Sequence, residues 1–146
     1  MEERLERVLP NNQDAEKSVL GSMLLEKEAM EQVLETLRAE DFYSAAHQRI
    51  FEAMANIRAA GQAVDLVTLS EELERRGFLD MIGGSVYLTE LMAFVPTAAN
   101  VSYYAKIVEE RSVQRSLVHA GNDMIRDGMN DDKDVEVPQP GGKADL

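Results

Sequence analysis

The sequence predicts an all-α protein, with a compact head of about five short helices followed by one long helix. Leu, Ala, Met, Glu and Arg dominate, aromatic residues make up 5% and there is no Trp, a mix that favours helices over strands. Apolar residues recur at three-to-four spacing rather than alternating, and most Gly and Pro residues fall between those periodic stretches, where they delimit them. With 146 residues and 45% hydrophobic content, the chain is long enough for one domain with a real core and too short for two of ordinary size.

Pro10-Asn11-Asn12 has the form of a helix start, followed by acidic Asp14 and Glu16 where the helix dipole favours negative charge. Ala15, Val19 and Met23, with Leu20 and Leu24 beside them, then form an i, i+4 stripe, so the first helix is expected over 13–25. Gly21 inside it costs roughly 1 kcal/mol relative to Ala, and its use would be to let another helix backbone come close. Met30, Val33, Leu34 and Leu37 define a second helix that ends before Asp41-Phe42-Tyr43. Ile50, Phe51, Met54 and Ala55 define a third, closed by Gly61.

The stretch Val64-Asp65-Leu66-Val67 reads as extended, and Thr68-Leu69-Ser70-Glu71 as a capping box, so a fourth helix is expected from Leu69 to near Gly77. Gly83-Gly84 reads as a turn and Ser85 as an N-cap. Val86, Leu88, Leu91, Met92 and Val95 then give the apolar side of a fifth helix, stopped by Pro96. From Asn100 onward Val101, Tyr104, Ala105 and Val108 make one stripe, which Val113, Leu117, Ala120 and Met124 are expected to continue to about Arg126. That length is unusual for a globular helix, and few upstream segments remain to cover its far half, so it should project and need a partner. Beyond Gly128, Asn130-Asp131-Asp132-Lys133-Asp134 and Val137-Pro138-Gln139-Pro140-Gly141-Gly142 have the composition of a linker. The expected divisions are a flexible arm over 1–9, the head over 10–98, the long helix over 99–128, and a linker or truncated hairpin over 129–146.

Fifteen Lys and Arg face 27 Asp and Glu, a net charge of −12, and the cations are scattered apart from the pair Arg75-Arg76. Phosphate backbones are bound by clustered cations that release counterions, so direct nucleic-acid binding is not expected. The absence of cysteine excludes disulfides and thiolate metal sites. No signal-like segment opens the chain and no run approaches the ~18 apolar residues of a membrane span, so a cytoplasmic protein without a membrane partner is expected. Asn100-Val101-Ser102 matches a glycosylation acceptor, but a helix cap is the plainer reading.

Several separated segments together resemble the N-terminal domain of the bacterial replicative DNA helicase, the DnaB family. They are Pro10-Asn11-Asn12-Gln13-Asp14-Ala15-Glu16, Val19-Leu20-Gly21, Asp41-Phe42-Tyr43, His47-Gln48-Arg49-Ile50-Phe51, Val64-Asp65-Leu66-Val67-Thr68, Gly83-Gly84-Ser85-Val86-Tyr87-Leu88 and Pro96-Thr97-Ala98-Ala99-Asn100. The resemblance runs from about residue 9 to about residue 128. It implies a helical head followed by a helical hairpin, with hairpins pairing between subunits and the domains forming a ring, a trimer of dimers, above the motor domains. A second long helix should follow the first; Asp134-Val135-Glu136-Val137 could open it, but nothing continues it.

In that family the collar docks the helicase-binding domain of primase, and loaders act on the helicase elsewhere or nearby. Carried over by position, the resemblance makes Tyr87, Val118, Met124 and Ile125 candidates for the primase surface, with Asp14 as a polar contact. It makes Val108, Val113, Leu117 and Met124 candidates for hairpin and dimer burial. Each has a structural alternative: Tyr87 as a core residue with its hydroxyl at the surface, and the aliphatic residues as a stripe folded back on the head.

The same resemblance places ATP and magnesium in a motor domain, and the 146 residues hold no phosphate-binding loop. The nearest candidate, Gly142-Lys143, has Val137 at the first glycine position and Ala144 in place of the hydroxyl residue. His47 and His119 lack a metal-binding partner at helical spacing, and His47 reads as a packing or capping residue. The acid pairs Glu71-Glu72, Glu109-Glu110 and Asp131-Asp132 read as solvated faces. No cofactor, metal site or catalytic residue is therefore expected. A non-catalytic collar domain is the main reading. A stand-alone adaptor that modulates helicase or primase, a weak nucleic-acid binder, and an enzyme of unrecognised type are the others.

Overall fold

The computed structural model describes residues 8–130, in which seven α-helices and one 3₁₀ turn are present and no strand occurs. The arm expected over 1–9 and the linker expected over 129–146, with the hairpin opening at 134–137, lie outside the described residues except for Val8, Leu9, Met129 and Asn130.

Helix α1 (Gln13–Leu25) begins as expected. The Asn12 side-chain oxygen accepts from the backbone N–H of Ala15 at 2.9 Å, satisfying one of the donors left free at a helix start. This helix is central, since Ala15, Val19, Leu20 and Met23 are all buried and it packs against α2 (Lys27–Thr36), α6 (Gly84–Phe94) and α7 (Val101–Gly128). Gly21 is where α1 and α6 meet: a Cβ built there would lie 2.2 Å from the Leu91 carbonyl oxygen, so only glycine allows this approach.

An extended residue, Glu26, separates α1 from α2. The 3₁₀ turn Ala39–Asp41 then delivers Phe42 to the core, its ring 5.2 Å from that of Phe51 on α3 (Ala45–Ala59). Ser44 caps α3 by accepting from the His47 N–H, and Gly61, with φ of 80°, carries the chain out of it.

Helix α4 (Leu66–Arg75) starts three residues earlier than expected. Asp65, not Thr68, is the N-cap: Asp65 accepts from the Thr68 N–H at 2.8 Å while the Thr68 hydroxyl accepts from the Asp65 N–H at 2.9 Å. The box is reciprocal but shifted, because a carboxylate is an acceptor at least as good as a hydroxyl at this position. Leu66 and Val67 are therefore helical rather than extended.

A single turn not anticipated in the sequence, α5 (Leu79–Ile82), buries Ile82 and ends at Gly83, whose φ of 106° starts α6. Ser85 is inside that helix rather than its cap, and its hydroxyl lies 3.0 Å from the hydroxyl of Ser70 on α4. Asn100 sits at the N-cap of α7, with its carbonyl accepting from Tyr103 and Tyr104 and its side chain making no cap bond. One apolar core joins all seven helices, from Ala15 to Val108.

Candidate functional site

The residues of α7 divide into two faces. Val101, Ala105 and Val108 lie in the head core, and Tyr104 and Ile107 pack against it. Five residues separate Val108 from Val113, and at 3.6 residues per turn that rotates the side-chain direction by roughly 140°. The apolar stripe therefore does not continue along one line, as the sequence reading expected. It moves to the other side of the helix. Positions that continue the Val108 line hold Arg115, His119, Asn122 and Arg126, which are polar.

Where the core ends, polar groups fasten the helix. Arg115 is 8% exposed and donates from Nη1 to the Pro10 carbonyl at 2.9 Å and from Nη2 to the Asp41 carbonyl at 2.7 Å. Its guanidinium stands 5.5 Å from the ring centre of Tyr43. One turn earlier the Ser112 hydroxyl donates to Asp41 Oδ1 at 2.8 Å, while Asp41 Oδ2 accepts from the Arg38 N–H at 2.8 Å. This latch was missed in the sequence, although Arg115 lies seven residues after Val108 and so on the same helix face.

Past Arg115 no residue of α7 is buried, so about 13 residues, roughly 20 Å of helix, stand clear of the head. Val113, Leu117, Ala120 and Met124 follow one another at spacings of four, three and four, the a/d pattern of a helix that pairs with another. Val118 and Ile125 widen that face on one side, with Gly121 between the two rows. Leu117 and Met124 are each 67% exposed and Ile125 61%. Val113, Leu117 and Met124 thus share one exposed line, and Val118 and Ile125 form a second exposed row roughly 100° round the helix from Leu117 and Met124. Val108 does not belong there: it is buried in the head core, so the hairpin and dimer role expected for it is replaced by packing within the chain.

Tyr87 and Asp14 lie on the head. Asp14 is exposed on the first turn of α1. Tyr87 is half-buried on α6, and its hydroxyl points inward to His47 Nε2 at 2.6 Å with the two rings stacked. His47 Nδ1 is 2.7 Å from Glu16 Oε1, and Glu16 also accepts from the N–H groups of Tyr43 at 2.6 Å and Ser44 at 3.4 Å. Glu16 and His47 are 2% and 1% exposed. Three helices and the loop before α3 are therefore joined by one buried polar chain that ends at a half-buried phenol. Burial, then the charges of Glu90 and Glu16, push the Tyr87 phenol above its ordinary range. The sequence reading treated Glu16 only as a helix-dipole acid; nothing local in its spacing signals the buried role.

A cavity of about 370 Å³ near the junction of α1 and α2 has Met23, Met30 and Val64 in its wall with Lys27 and Arg58, and no carboxylate, histidine or hydroxyl. Among the described residues no cluster of three or more His, Cys, Asp or Glu could hold a metal ion, and no helix is long and apolar enough to cross a membrane.

Residues 8–110 match the family model described as the DnaB-like helicase N terminal domain. The chain belongs to this family. Over 132 residues it is 46% identical to the replicative DNA helicase DnaB of Geobacillus stearothermophilus, covering 90% of this chain and 29% of that protein. A crystal structure of the N-terminal domain of DnaB helicase from Mycobacterium tuberculosis superposes with a TM-score of 0.83 at 46% identity, covering 87% of this chain and 90% of that one. A second solved structure, of a DnaB-like replicative helicase described with its interactions with primase, gives a TM-score of 0.70 at 31% identity and covers 80% of this chain and 27% of that one. The chain thus spans less than a third of the length of the DnaB helicase it matches. It is an all-helical DnaB N-terminal domain, and its 146 residues include none of the phosphate-binding motif of a helicase motor.

Proposed function

We propose that this chain acts as the assembly and docking collar of a replicative DNA helicase, self-associating through the outward face of α7 and binding the helicase-binding domain of primase. The observation that carries this reading is the change of apolar face along α7. The first half of the helix is committed to the head, whereas Val113, Leu117 and Met124, flanked by Val118 and Ile125, are offered away from it. An exposed apolar surface of this kind marks an interaction site, and burying each large aliphatic side chain would contribute about 1.5–3 kcal/mol. The solved DnaB-like replicative helicase described with its interactions with primase supports the choice of partner.

In this reading Tyr87, Val118, Met124 and Ile125 contribute to the primase surface with Asp14 as a polar contact, and Val113, Leu117 and Met124 to the dimer or hexameric ring. ATP and magnesium are held by the motor domain of the complete helicase, and DNA is held outside this acidic domain. Loader proteins act on the assembled helicase, and the setting is the cytoplasm.

The test is calorimetric titration of the chain with the helicase-binding domain of primase from the same source, with light scattering following the mass of each species. Micromolar or tighter binding is expected. A folded, helical chain that gives no heat and no complex, also when a second hairpin helix is supplied, would overturn the docking role.

A further inference from the structure

The buried chain Glu16–His47–Tyr87 ends at a surface that the docking reading uses, and its hydrogen-bond inventory fixes what that end can offer. Glu16 receives the N–H of Tyr43 on Oε2, and the N–H of Ser44 together with His47 Nδ1 on Oε1. A buried carboxylate held by two backbone donors is an acceptor, so His47 Nδ1 must carry the proton in that contact. In the Nδ1–H tautomer, on which the inference rests, Nε2 is bare and accepts from the Tyr87 hydroxyl 2.6 Å away. The hydroxyl proton is thereby directed inward, so the phenolic oxygen of this half-buried side chain has only lone pairs left to offer. The nearby charge of Glu90, on the following turn of α6, adds to the negative character of this spot.

We propose that Tyr87 is a hydrogen-bond acceptor aimed at a lysine or arginine side chain of the docking partner, and that buried Glu16, acting through His47, sets that polarity. The proposal rests on the docking reading above. Its particular consequence is that a residue 2% exposed, unable to touch a partner, governs the specificity of one that can. In Glu16→Gln the amide oxygen accepts from the Tyr43 N–H, the closer backbone donor, and the amide NH₂ then faces His47 Nδ1. That geometry moves the imidazole proton to Nε2, which donates to the Tyr87 oxygen and turns the hydroxyl proton outward. The contact changes from acceptor to donor with no change in the docking residue itself.

The experiment combines long-range ¹H–¹⁵N correlation spectra of the histidine rings with binding of purified primase helicase-binding domain. The chain has two histidines, so His119→Gln assigns the His47 signals. In the unsubstituted chain the ring proton is expected on Nδ1. Glu16→Gln is expected to shift it to Nε2 and, with helical circular dichroism unchanged, to weaken binding roughly tenfold, the scale of one well-placed hydrogen bond to a charged group. Tyr87→Phe is expected to weaken binding by a similar factor, and this variant together with the ring spectrum decides the matter if Glu16→Gln does not fold. A proton on Nε2 in the unsubstituted chain overturns the inference. So does unchanged binding of folded variants while the unsubstituted chain binds, an outcome that leaves the docking reading standing. Absence of binding by the unsubstituted chain overturns both.

Discussion

Arg115 on α7 donates to the Asp41 carbonyl 2.7 Å away, across 74 positions of sequence, and that bond marks where the long helix leaves the head. With its second bond to the Pro10 carbonyl it ties three separate parts of the chain together at the root of the projecting segment. The direction in which the outward apolar face points is set at this root.

Replacing Arg115 by Ala would leave the carbonyls of Pro10 and Asp41 to find other donors and remove the cation from beside Tyr43. A loss of about 1–3 kcal/mol is expected, the range for hydrogen bonds from a charged donor. Urea unfolding should show it. Hydrogen exchange should also show α7 from Ser112 onward opening more readily, with α1 little changed; uniform protection along α7 would argue against a latch.

Gly21→Ala is expected to destabilise the fold by about 1–3 kcal/mol, since the added Cβ would sit 2.2 Å from the Leu91 carbonyl and α1 and α6 would have to part. Gly121→Ala is its counterpart. Nothing lies within 4 Å of a Cβ there, so at concentrations where the chain is a monomer it should stabilise the helix by about 0.5–1 kcal/mol. Thermal unfolding of the two variants side by side gives opposite signs if the helix crossing is as described.

Leu117→Asp should abolish self-association while leaving helical circular dichroism and the melting temperature nearly unchanged, because Leu117 is exposed and no part of the head core. Val108→Ala should do the reverse, costing about 2 kcal/mol of stability through a cavity in the core. Sedimentation equilibrium and denaturant melts separate the two. An unchanged oligomer for Leu117→Asp would remove α7 from the assembly surface.

The phenol of Tyr87 has its proton affinity raised in the fold by burial and by Glu90 and Glu16. The unfolded chain therefore loses this proton at lower pH than the folded one. The contribution of the group is fully present below about pH 10, its ordinary value, and is lost as pH rises through the folded-state value. Tyr87→Phe should flatten the alkaline decline of stability, measured as urea midpoints from pH 8 upward. At the acid end Glu72 behaves oppositely. Hydrogen bonds from Arg76 and then Arg75 hold its carboxyl below the usual range, so its contribution is present above the ordinary glutamate value and lost as pH falls through the lowered one.

The sequence by itself determined the helical class, the positions of α1, α3, α6 and α7, and the family to which the chain belongs. These follow from local signals: apolar period, Pro10-Asn11-Asn12 as a helix start, Gly61 and Pro96 as stops. Where two local signals competed it was less decisive. Asp65 and Thr68 both suit an N-cap, and the choice between them moved the start of α4 by three residues. The four-residue α5 is too short to show a period at all. Only the tertiary structure decided what each side chain faces. Val108 and Val113 look alike in sequence, yet five residues of helical rotation put one in the core and leave the other outside. Glu16, His47 and Tyr87 are 31 and 40 positions apart along the chain. They meet because Gly21 lets α1 and α6 pack at backbone distance, and no local pattern encodes such a meeting, since burial depends on which helices cross and where.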